Sequence, residues 1–496
     1  MKKISLSVLT FLSLFIGVQA QNVDDALRYS QIFYGGTARS YSMGGAFTAL
    51  GGDASTLNQN PAGIGVFRST ELTITPQLFY TKTTSGFNGN SLNDFNNFNM
   101  SQFGLVANVA SKPEGLISFN IGYSYNKTNN LSQDILIQGI SNSSSMADFW
   151  ADLGNRDGGT LYSDLEGPEG IAFDAWVMDT ITGSGGRGFG TVYSNYGDNP
   201  PSRYGQTIRR IIYNDGYLAE NSISFGGNYS NKLYFGATFG ITTLRYISHY
   251  EHLESTEVPL ASQFRNFTYV DHYEDKGTGY NFKLGAIFRP VEAVRVGFAF
   301  HSPIWYKIDE YYYNDITSNF TDGGHYEANN DPMRFNYALA SPYRLLGGVG
   351  VQIKKVALLS ADYEYVDYGS ARFSQTGDGY DYSSKNDEIR NTLKGAHNFR
   401  FGGEYRIDKI YLRGGYGLYG KAFNENEDNA DLKYNTISGG IGFRDRNFLI
   451  DFGYQNLQYS QNYVMYPVDL GVEPAMASLK TTQNVFTLTF GYKFGI

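Results

Sequence analysis

Near the C-terminus, Phe486, Leu488, Phe490, Tyr492, Phe494 and Ile496 alternate with Thr487, Thr489, Gly491, Lys493 and Gly495. A helix scatters such residues around its circumference, whereas a strand places them on one side. Ile117, Phe119, Ile121, Tyr123 and Tyr125 alternate with Ser118, Asn120, Gly122, Ser124 and Asn126 in the same way. Runs of this kind predict strands near 70–81, 102–110, 116–126, 221–230, 233–248, 279–289 and 293–306. The second half adds 342–353, 356–368, 397–406, 409–419, 434–444, 447–459 and 484–496, which makes fourteen.

The connections alternate in length. Tight ones fall around Lys112-Pro113-Glu114, Asn231-Lys232, Pro290-Val291-Glu292, Lys354-Lys355, Ile407-Asp408 and Asp445-Arg446. Long ones lie between them, the largest at about 127–220. Short turns at one end and long loops at the other is the plan of an outer-membrane barrel. An even strand count puts both barrel ends on the short-turn, periplasmic side, as an exported chain requires. Strands of ~10–13 residues tilted ~40° span an apolar band of ~25 Å. The fold class expected is all-β: a 14-stranded antiparallel transmembrane β-barrel. A soluble sandwich or propeller also alternates, but no blade repeat is present, and long strands with aromatic ends fit a membrane band better.

One face of each run is aliphatic or aromatic, as lipid demands. The other carries Lys283, Arg295, Asp362, Glu364, Arg400, Glu404, Arg413 and Asp451. These belong in the lumen, because a charge on the lipid face costs ~2–4 kcal/mol at mid-depth. There they serve as structural ion pairs or, in the minority reading, as ligand contacts. Trp305, Tyr306, Tyr365, Tyr368, Tyr419 and Tyr459 lie near strand ends and suit an interfacial girdle.

Composition narrows the compartment. Aromatics reach 16% while charged residues are 18% of the 496, and mean hydropathy is −0.34. Gly, Asn, Ser and Thr offset the aromatic surplus, which suits strands and turns better than helix. Spans of ~20 apolar residues, which a helical membrane protein needs, are missing after the N-terminus. Lys2 and Lys3 precede an apolar stretch at 4–18, and Val18-Gln19-Ala20 fits a cleavage site. Residues 1–20 therefore read as a signal peptide, with Gln21 opening the mature chain. Zero cysteine removes disulfides, thiolate metal sites and a lipoprotein anchor. A net charge of −9 gives no footprint for nucleic acid.

Residues 21–69 do not read as strand. Their core, SMGGAFTALGGDASTLNQNPAG at 42–63, is dominated by small residues that let backbone pack closely. Asp53 or Ser55 can cap a short helical turn, and Asn60-Pro61-Ala62-Gly63 is turn chemistry. Such a piece can sit inside the lumen as a hatch, or lead off as a periplasmic extension.

Gly44-Gly45-Ala46, Asp53-Ala54-Ser55-Thr56 and Asn60-Pro61-Ala62-Gly63 together resemble the N-terminal hatch of the long-chain fatty acid transporter family (FadL/OmpP1/TodX type). The stretch GAIFRPVEAVRVGFAFHSP at 285–303 is similar to a mid-barrel hairpin of that family, and Asp362-Tyr363 fits its pattern loosely. The resemblance implies an N-terminal hatch at 21–69, with Gly44, Gly45, Asp53, Ser55, Asn60, Pro61 and Gly63 as its hatch residues. The barrel then occupies 70–496. It implies a monomer in the outer membrane of a Gram-negative-type bacterium, inserted by the barrel assembly machinery and surrounded by outer-membrane lipid. It further implies passive uptake of small hydrophobic molecules such as long-chain fatty acids, by loop capture and lateral release past the hatch. The loop at 127–220 does not align with the family's ligand-catching loops, which leaves the ligand unassigned.

Two pieces of that loop are helix-like. Met146, Phe149, Trp150 and Leu153 follow i, i+3, i+4, i+7 behind a Ser145/Asp148 capping box, and Phe173, Trp176, Val177 and Ile181 form a second stripe. Either the stripes pack against each other to fold the loop, or Phe149, Trp150, Phe173, Trp176 and Val177 form a ligand-binding groove. Asn120 and Gly122 are candidate lateral-gate positions, since Gly weakens a strand; small residues are equally at home beside a plug. His249, His252 and His272 show no further ligand pattern, and His301 and Ser302 point apart on a strand. No catalytic residue, metal or cofactor is expected. Two other readings stay open for the barrel: a docking component of an envelope secretion or surface assembly, and uptake of haem or aromatic compounds. A rim enzyme acting on lipid or peptide is the third.

Overall fold

The computed structural model describes residues 22–494 except 88, 113, 157–160, 166, 184–185, 194–203, 258–259, 261–262, 378 and 468–474. The expected signal peptide lies outside the described residues. Helices α1 (Val23–Ser30), α2 (Ala38–Ser42) and α3 (Thr56–Gln59) and a 3-10 turn (Pro61–Val66) precede the first strand. Then come β1 (Thr70–Gly86), β2 (Asn90–Ser111), β3 (Leu116–Asn130) and β4 (Gln133–Ser141). A loop domain follows, with α4 (Met146–Asn155), α5 (Pro168–Asp174) and the hairpin β5 (Met178–Gly183) and β6 (Gly186–Thr191). The chain continues through β7 (Gln206–Tyr229), β8 (Leu233–Ser255), β9 (Phe264–Val291), β10 (Val294–His301), β11 (Trp305–Phe320), β12 (His325–Asn329), β13 (Met333–Ala340) and β14 (Arg344–Ile353). It ends with β15 (Ala357–Asp367), β16 (Arg372–Gln375), α6 (Ser383–Thr392), β17 (Gly395–Ile407), β18 (Ile410–Tyr419), β19 (Tyr434–Arg444), β20 (Phe448–Tyr466) and β21 (Ala475–Phe494).

The wall runs antiparallel through β1, β2, β3, β7, β8, β9, β10, β14, β15, β17, β18, β19, β20 and β21. Pairing of β21 with β1 closes it, so the fourteen-stranded barrel has no free edge. Two wall strands break at proline. At Ser302-Pro303 and Ser341-Pro342 the ladder breaks, and serine hydroxyls accept from neighbouring backbone N–H groups. Ser302 Oγ accepts from the Phe282 N–H at 3.0 Å and Ser341 Oγ from the Ile304 N–H at 2.9 Å.

Alternation sorts the side chains. On β8, Leu233, Phe235, Phe239 and Ile241 face out while Tyr234, Thr238 and Thr242 are buried. On β9, Tyr280, Phe282, Leu284 and Phe288 face out, and Ile241 pairs with Tyr280 as Leu233 does with Phe288. At ~3.4 Å per residue and ~40° tilt, 233–241 rises about 21 Å, close to the ~25 Å apolar band of such barrels. Beyond it, Arg245, His249 and Lys276 mark the polar zone of the long-loop end. Among the described residues no helix is long and apolar enough to cross a membrane.

Two expectations change. The region at 127–220 is not loop throughout: β3 runs on to Asn130, β4 continues to Ser141, and β7 begins at Gln206. The β8–β9 ladder likewise continues far past the band. Outside the membrane a strand needs no apolar outer face, so the alternation that reveals it disappears. The girdle also shrinks. Trp305 faces out, but Tyr306, Tyr368 and Tyr419 are buried inside, because adjacent strand residues point to opposite faces.

Candidate functional site: the occupied lumen, its wall and its cap

Residues 22–69 lie against inward faces around the barrel. The sequence supplies the compactness locally. Gly44 and Gly45 take positive φ, +62° and +72°. Asp53 caps the turn into α3, accepting from the Ser55 N–H at 3.1 Å, Ser55 Oγ at 2.7 Å and Thr37 Oγ1 at 2.7 Å. Asn60 accepts from the Ala62 N–H through Oδ1 and donates to the Thr48 carbonyl at 2.6 Å. Pro61 opens the 3-10 turn, and the Gly63 carbonyl accepts from the Gly52 N–H at 3.1 Å. These residues thus form one small-residue knot.

Wall glycines let that knot approach. A Cβ on Gly415 would stand 2.3 Å from the Gly44 nitrogen, and one on Gly297 would stand 2.1 Å from the Thr48 carbonyl oxygen. Charge fixes it in place. Arg39 reaches Glu404 with two bonds of 3.0 and 3.2 Å. Arg413 joins Glu404 at 2.7 Å and Asp451 at 2.7 Å. Asp362 accepts from the Thr48 N–H and hydroxyl at 2.8 and 2.7 Å. Higher up, Glu364 holds Arg344 and Arg400, each at 2.5 Å, with Arg400 over the Tyr34 ring at 4.6 Å. Lys283 pairs with Glu220. The lumen charges are therefore mostly structural pairs. Arg295 differs, donating to the Leu50 carbonyl at 2.6 Å.

The wall beside this segment is uneven. Asn120 and Gly122 are paired with strands on both sides, although β2 bulges at Val109 where Asn120 meets Asn108. Asn120 donates to the Ile64 and Phe67 carbonyls, and Gly122 faces Leu57 and Ile64. The discontinuity lies elsewhere. On β1, Thr75 and Pro76 have no backbone partner on β21, where pairing jumps from Ile74↔Phe490 to Gln77↔Thr487. On the other side the register shifts, bulging Ser101 out of β2. Proline lacks the donor that a central strand needs, which explains the gap. Among the described residues, the side-chain bridge across it is that of the Thr75 and Thr489 hydroxyls, at 2.8 Å. The inner segment meets the gap directly: Ala38 N–H donates to Thr489 Oγ1 at 2.7 Å and Ser101 Oγ to the Gly36 carbonyl at 2.9 Å.

The long-loop end is capped by its own core. The Ser145/Asp148 capping box forms as the spacing implies. Trp150 is fully buried, against Phe267 and Tyr269, and Val177 is buried with it. Phe149 and Phe173 are half-buried at its edge. Trp176 stands 55% exposed near Tyr326, at φ +58°. The second stripe is not one helix: α5 stops at Asp174, the chain turns through Trp176, and β5 follows. Beneath α4, Glu254 accepts from the Met146 N–H at 2.7 Å, Ser145 Oγ at 2.7 Å and Gln206 Nε2 at 3.2 Å. Arg210 Nε donates to His252 Nδ1 at 3.0 Å, so the other ring nitrogen carries the proton toward Glu254, also at 3.0 Å. Burial pushes Glu254 up to about 7 and Asp148 up to about 6. Burial, and then the Arg210 charge, pull His252 well below its ordinary value. His249 and His272 lie partly exposed, with rings 5.6 Å apart, away from buried His252.

No family model and no curated sequence matches the chain. Solved structures do. A Pseudomonas aeruginosa FadL homologue matches with a TM-score of 0.56 at 13% identity, over 94% of this chain and 100% of that one. The Pseudomonas putida toluene transporter TodX matches at 0.51 and 11% identity, over 94% and 100%. This chain has the FadL/TodX-type fold. At such identity the fold is what is shared. Within the FadL-type frame, Pro76 was the signal the sequence offered and the alternation obscured: a proline inside a dyad run marks a broken ladder. Arg39, Arg210 and Ser101 carried no such mark, because their partners are distant in the chain or arise from register.

Proposed function

We propose that this chain is a passive outer-membrane channel for small hydrophobic molecules, with long-chain fatty acids or aromatic hydrocarbons as cargo. The short-turn end faces the periplasm and residues 22–69 act as the hatch. No catalytic step is involved. Cargo is captured at the apolar edge of the cap, where Phe149 and Phe173 are half-buried and Trp176 is exposed, while Trp150 and Val177 support that edge from inside. It then skirts the hatch and leaves sideways into the membrane.

The observation that carries this reading is the coincidence of a filled lumen with a wall gap in the apolar band. The hatch blocks the axis with buried polar and charged contacts, which a hydrophobic molecule does not displace without leaving ionic groups unpaired. At Thr75 and Pro76 the wall is held by one hydroxyl contact, and Pro76 lies between outward Ile74 and Leu78. The exit is therefore placed there, and Asn120 and Gly122 act as a hatch-supporting wall. The test is Pro76→Val, which restores the missing donor. Cells carrying it should take up radiolabelled oleate or toluene more slowly than cells with the parent protein, at equal levels of folded barrel. Equal uptake refutes exit at this gap. Uptake no faster than in cells lacking the protein refutes transport itself.

A further inference from the structure

We propose that the periplasmic mouth of the barrel is an oxyanion-binding site, taking the phosphate of a lipid headgroup or the carboxylate of an amphiphile. The proposal concerns a cavity below the hatch and does not depend on cargo crossing the barrel. A cleft of about 370 Å³ opens there between the hatch glycines Gly51 and Gly52 and the short-turn ends of the wall. Seven basic side chains line it against two carboxylates, Glu71 and Glu404, which leaves five positive charges in excess. Counting the adjacent Arg413, Asp53 and Asp451 gives eight against four, still an excess of four. The whole chain carries −9, so this concentration runs against its overall charge.

The carboxylates are already engaged. Glu404 is shared by Arg39 and Arg413, Asp451 by Arg413 and Arg444, and Glu71 lies 3.7 Å from Lys493. Among the described residues, Arg68, Arg295, Lys355 and Arg406 form no ion pair. Arg295 and Arg406 spend a donor on a backbone carbonyl, at 2.6 and 2.8 Å. Arg444 Nε is buried and has no hydrogen-bond partner. The ring of Tyr411 is flanked by Arg406, Arg413 and Arg444, at 5.6, 5.6 and 5.0 Å.

Backbone strain points the same way. Lys354 and Lys355 form the β14–β15 turn with φ of +47° and +59°. That turn favours Asn or Gly, and lysine there is held in an unfavourable conformation. Two lysines at this position raise the potential of the mouth. Like charges gathered in a cleft with low-dielectric walls repel one another and focus an attractive field on an anion. An oxyanion accepts from several forked donors at once, which arginine geometry suits.

The test uses the full chain in a non-ionic detergent, titrated calorimetrically at low salt with glycerol 3-phosphate and separately with octanoate. Expected is saturable binding of at least one probe with Kd of about 1 mM or tighter, weakened by added salt. Lys355→Gln with Arg406→Gln, both exposed at the short-turn end, should weaken it about tenfold, as should Arg295→Gln, with heat-modifiable gel mobility confirming a folded barrel. Arg245→Gln at the opposite end should leave it unchanged. Binding of glycerol 3-phosphate alone assigns the site to a lipid phosphate, and binding of octanoate alone to a carboxylate amphiphile. Binding of neither probe, or equal binding by the parent and both mouth variants, overturns the proposal.

Discussion

Replacing Glu254 by Gln separates charge from shape at the base of the cap on the long-loop end. The carboxyl is fully buried, and burial raises it from the ordinary value near 4.5 to about 7. The folded cap therefore holds its proton where the unfolded loop has released it. Stability is full below about pH 4.5 and falls as pH rises through the folded value, then levels off. At 1.36 kcal/mol per unit, the loss by pH 8 is about 3 kcal/mol. Asp148, raised to about 6 by burial in the same cluster, shifts the cap in the same direction. Glutamine keeps an oxygen for the Met146 N–H and cannot ionise. Glu254→Gln should match the parent at pH 5 and protect the α4 amides about a hundredfold better at pH 8. Hydrogen exchange on peptides spanning 145–153, corrected for the intrinsic pH dependence of the amide rate, measures both. Protection in the parent that does not change between pH 5 and 8 refutes the reasoning, as does a variant less protected at every pH.

Trp150→Ala removes a fully buried side chain and should destabilise the cap by about 3–5 kcal/mol, read as rapid proteolysis within 142–205. Trp176→Ala, at an exposed position, should leave proteolysis near that of the parent while slowing uptake of a hydrophobic tracer. Gly415→Val places atoms where the Gly44 nitrogen already stands and should push the hatch aside, raising single-channel conductance in planar bilayers. Glu364→Gln leaves Arg344 and Arg400 without their shared partner, and the barrel should lose about 3–5 kcal/mol, seen as a lower heat-modifiability midpoint.

The wall was legible wherever lipid enforces alternation. The fourteen predicted strands are the fourteen of the barrel, since one face must be apolar in the band. Outside the band the signal fades for a physical reason. Most of 127–141 and 206–220 is paired strand with a mixed outer face, where Ile140 and Tyr213 stand out beside Gln138 and Arg209, and its pattern resembles loop. The capping box at Ser145 and Asp148 was readable because it is local. The turn at Trp176 was not, because it is the left-handed position of a helix C-cap, closed by Val177 N–H to Ala172 and Trp176 N–H to Phe173, and glycine is the residue that ordinarily marks such a cap. Lumen partners such as Arg39 and Glu404 lie on distant parts of the chain, and only the closed barrel brings them together.

The perimeter of the segment at 22–69, the proposed hatch, is held unequally, and under the proposed function this bears on how cargo would pass it. Toward β15 and β17 the contacts are ionic or charge-assisted: Arg39 to Glu404, and Thr48 to Asp362. Toward β1, β2 and β21 they are neutral: Ala38 to Thr489, and Ser101 to Gly36. A neutral hydrogen bond contributes about 0.5–1.5 kcal/mol and one to a charged group about 1.5–3 kcal/mol. Displacing the whole hatch means breaking the ionic set. Opening only the side at 35–38 costs those neutral bonds and the single Thr37 bond to Asp53, and that side faces the gap at Thr75 and Pro76. Local opening there, with the hatch still anchored across the lumen, is the lower-energy route. If so, disulfide tethering of the hatch to β17 should leave uptake of a hydrophobic tracer intact, and tethering it to β2 near Ser101 should block it. Block by the β17 tether would mean the hatch moves as one body and would refute the route.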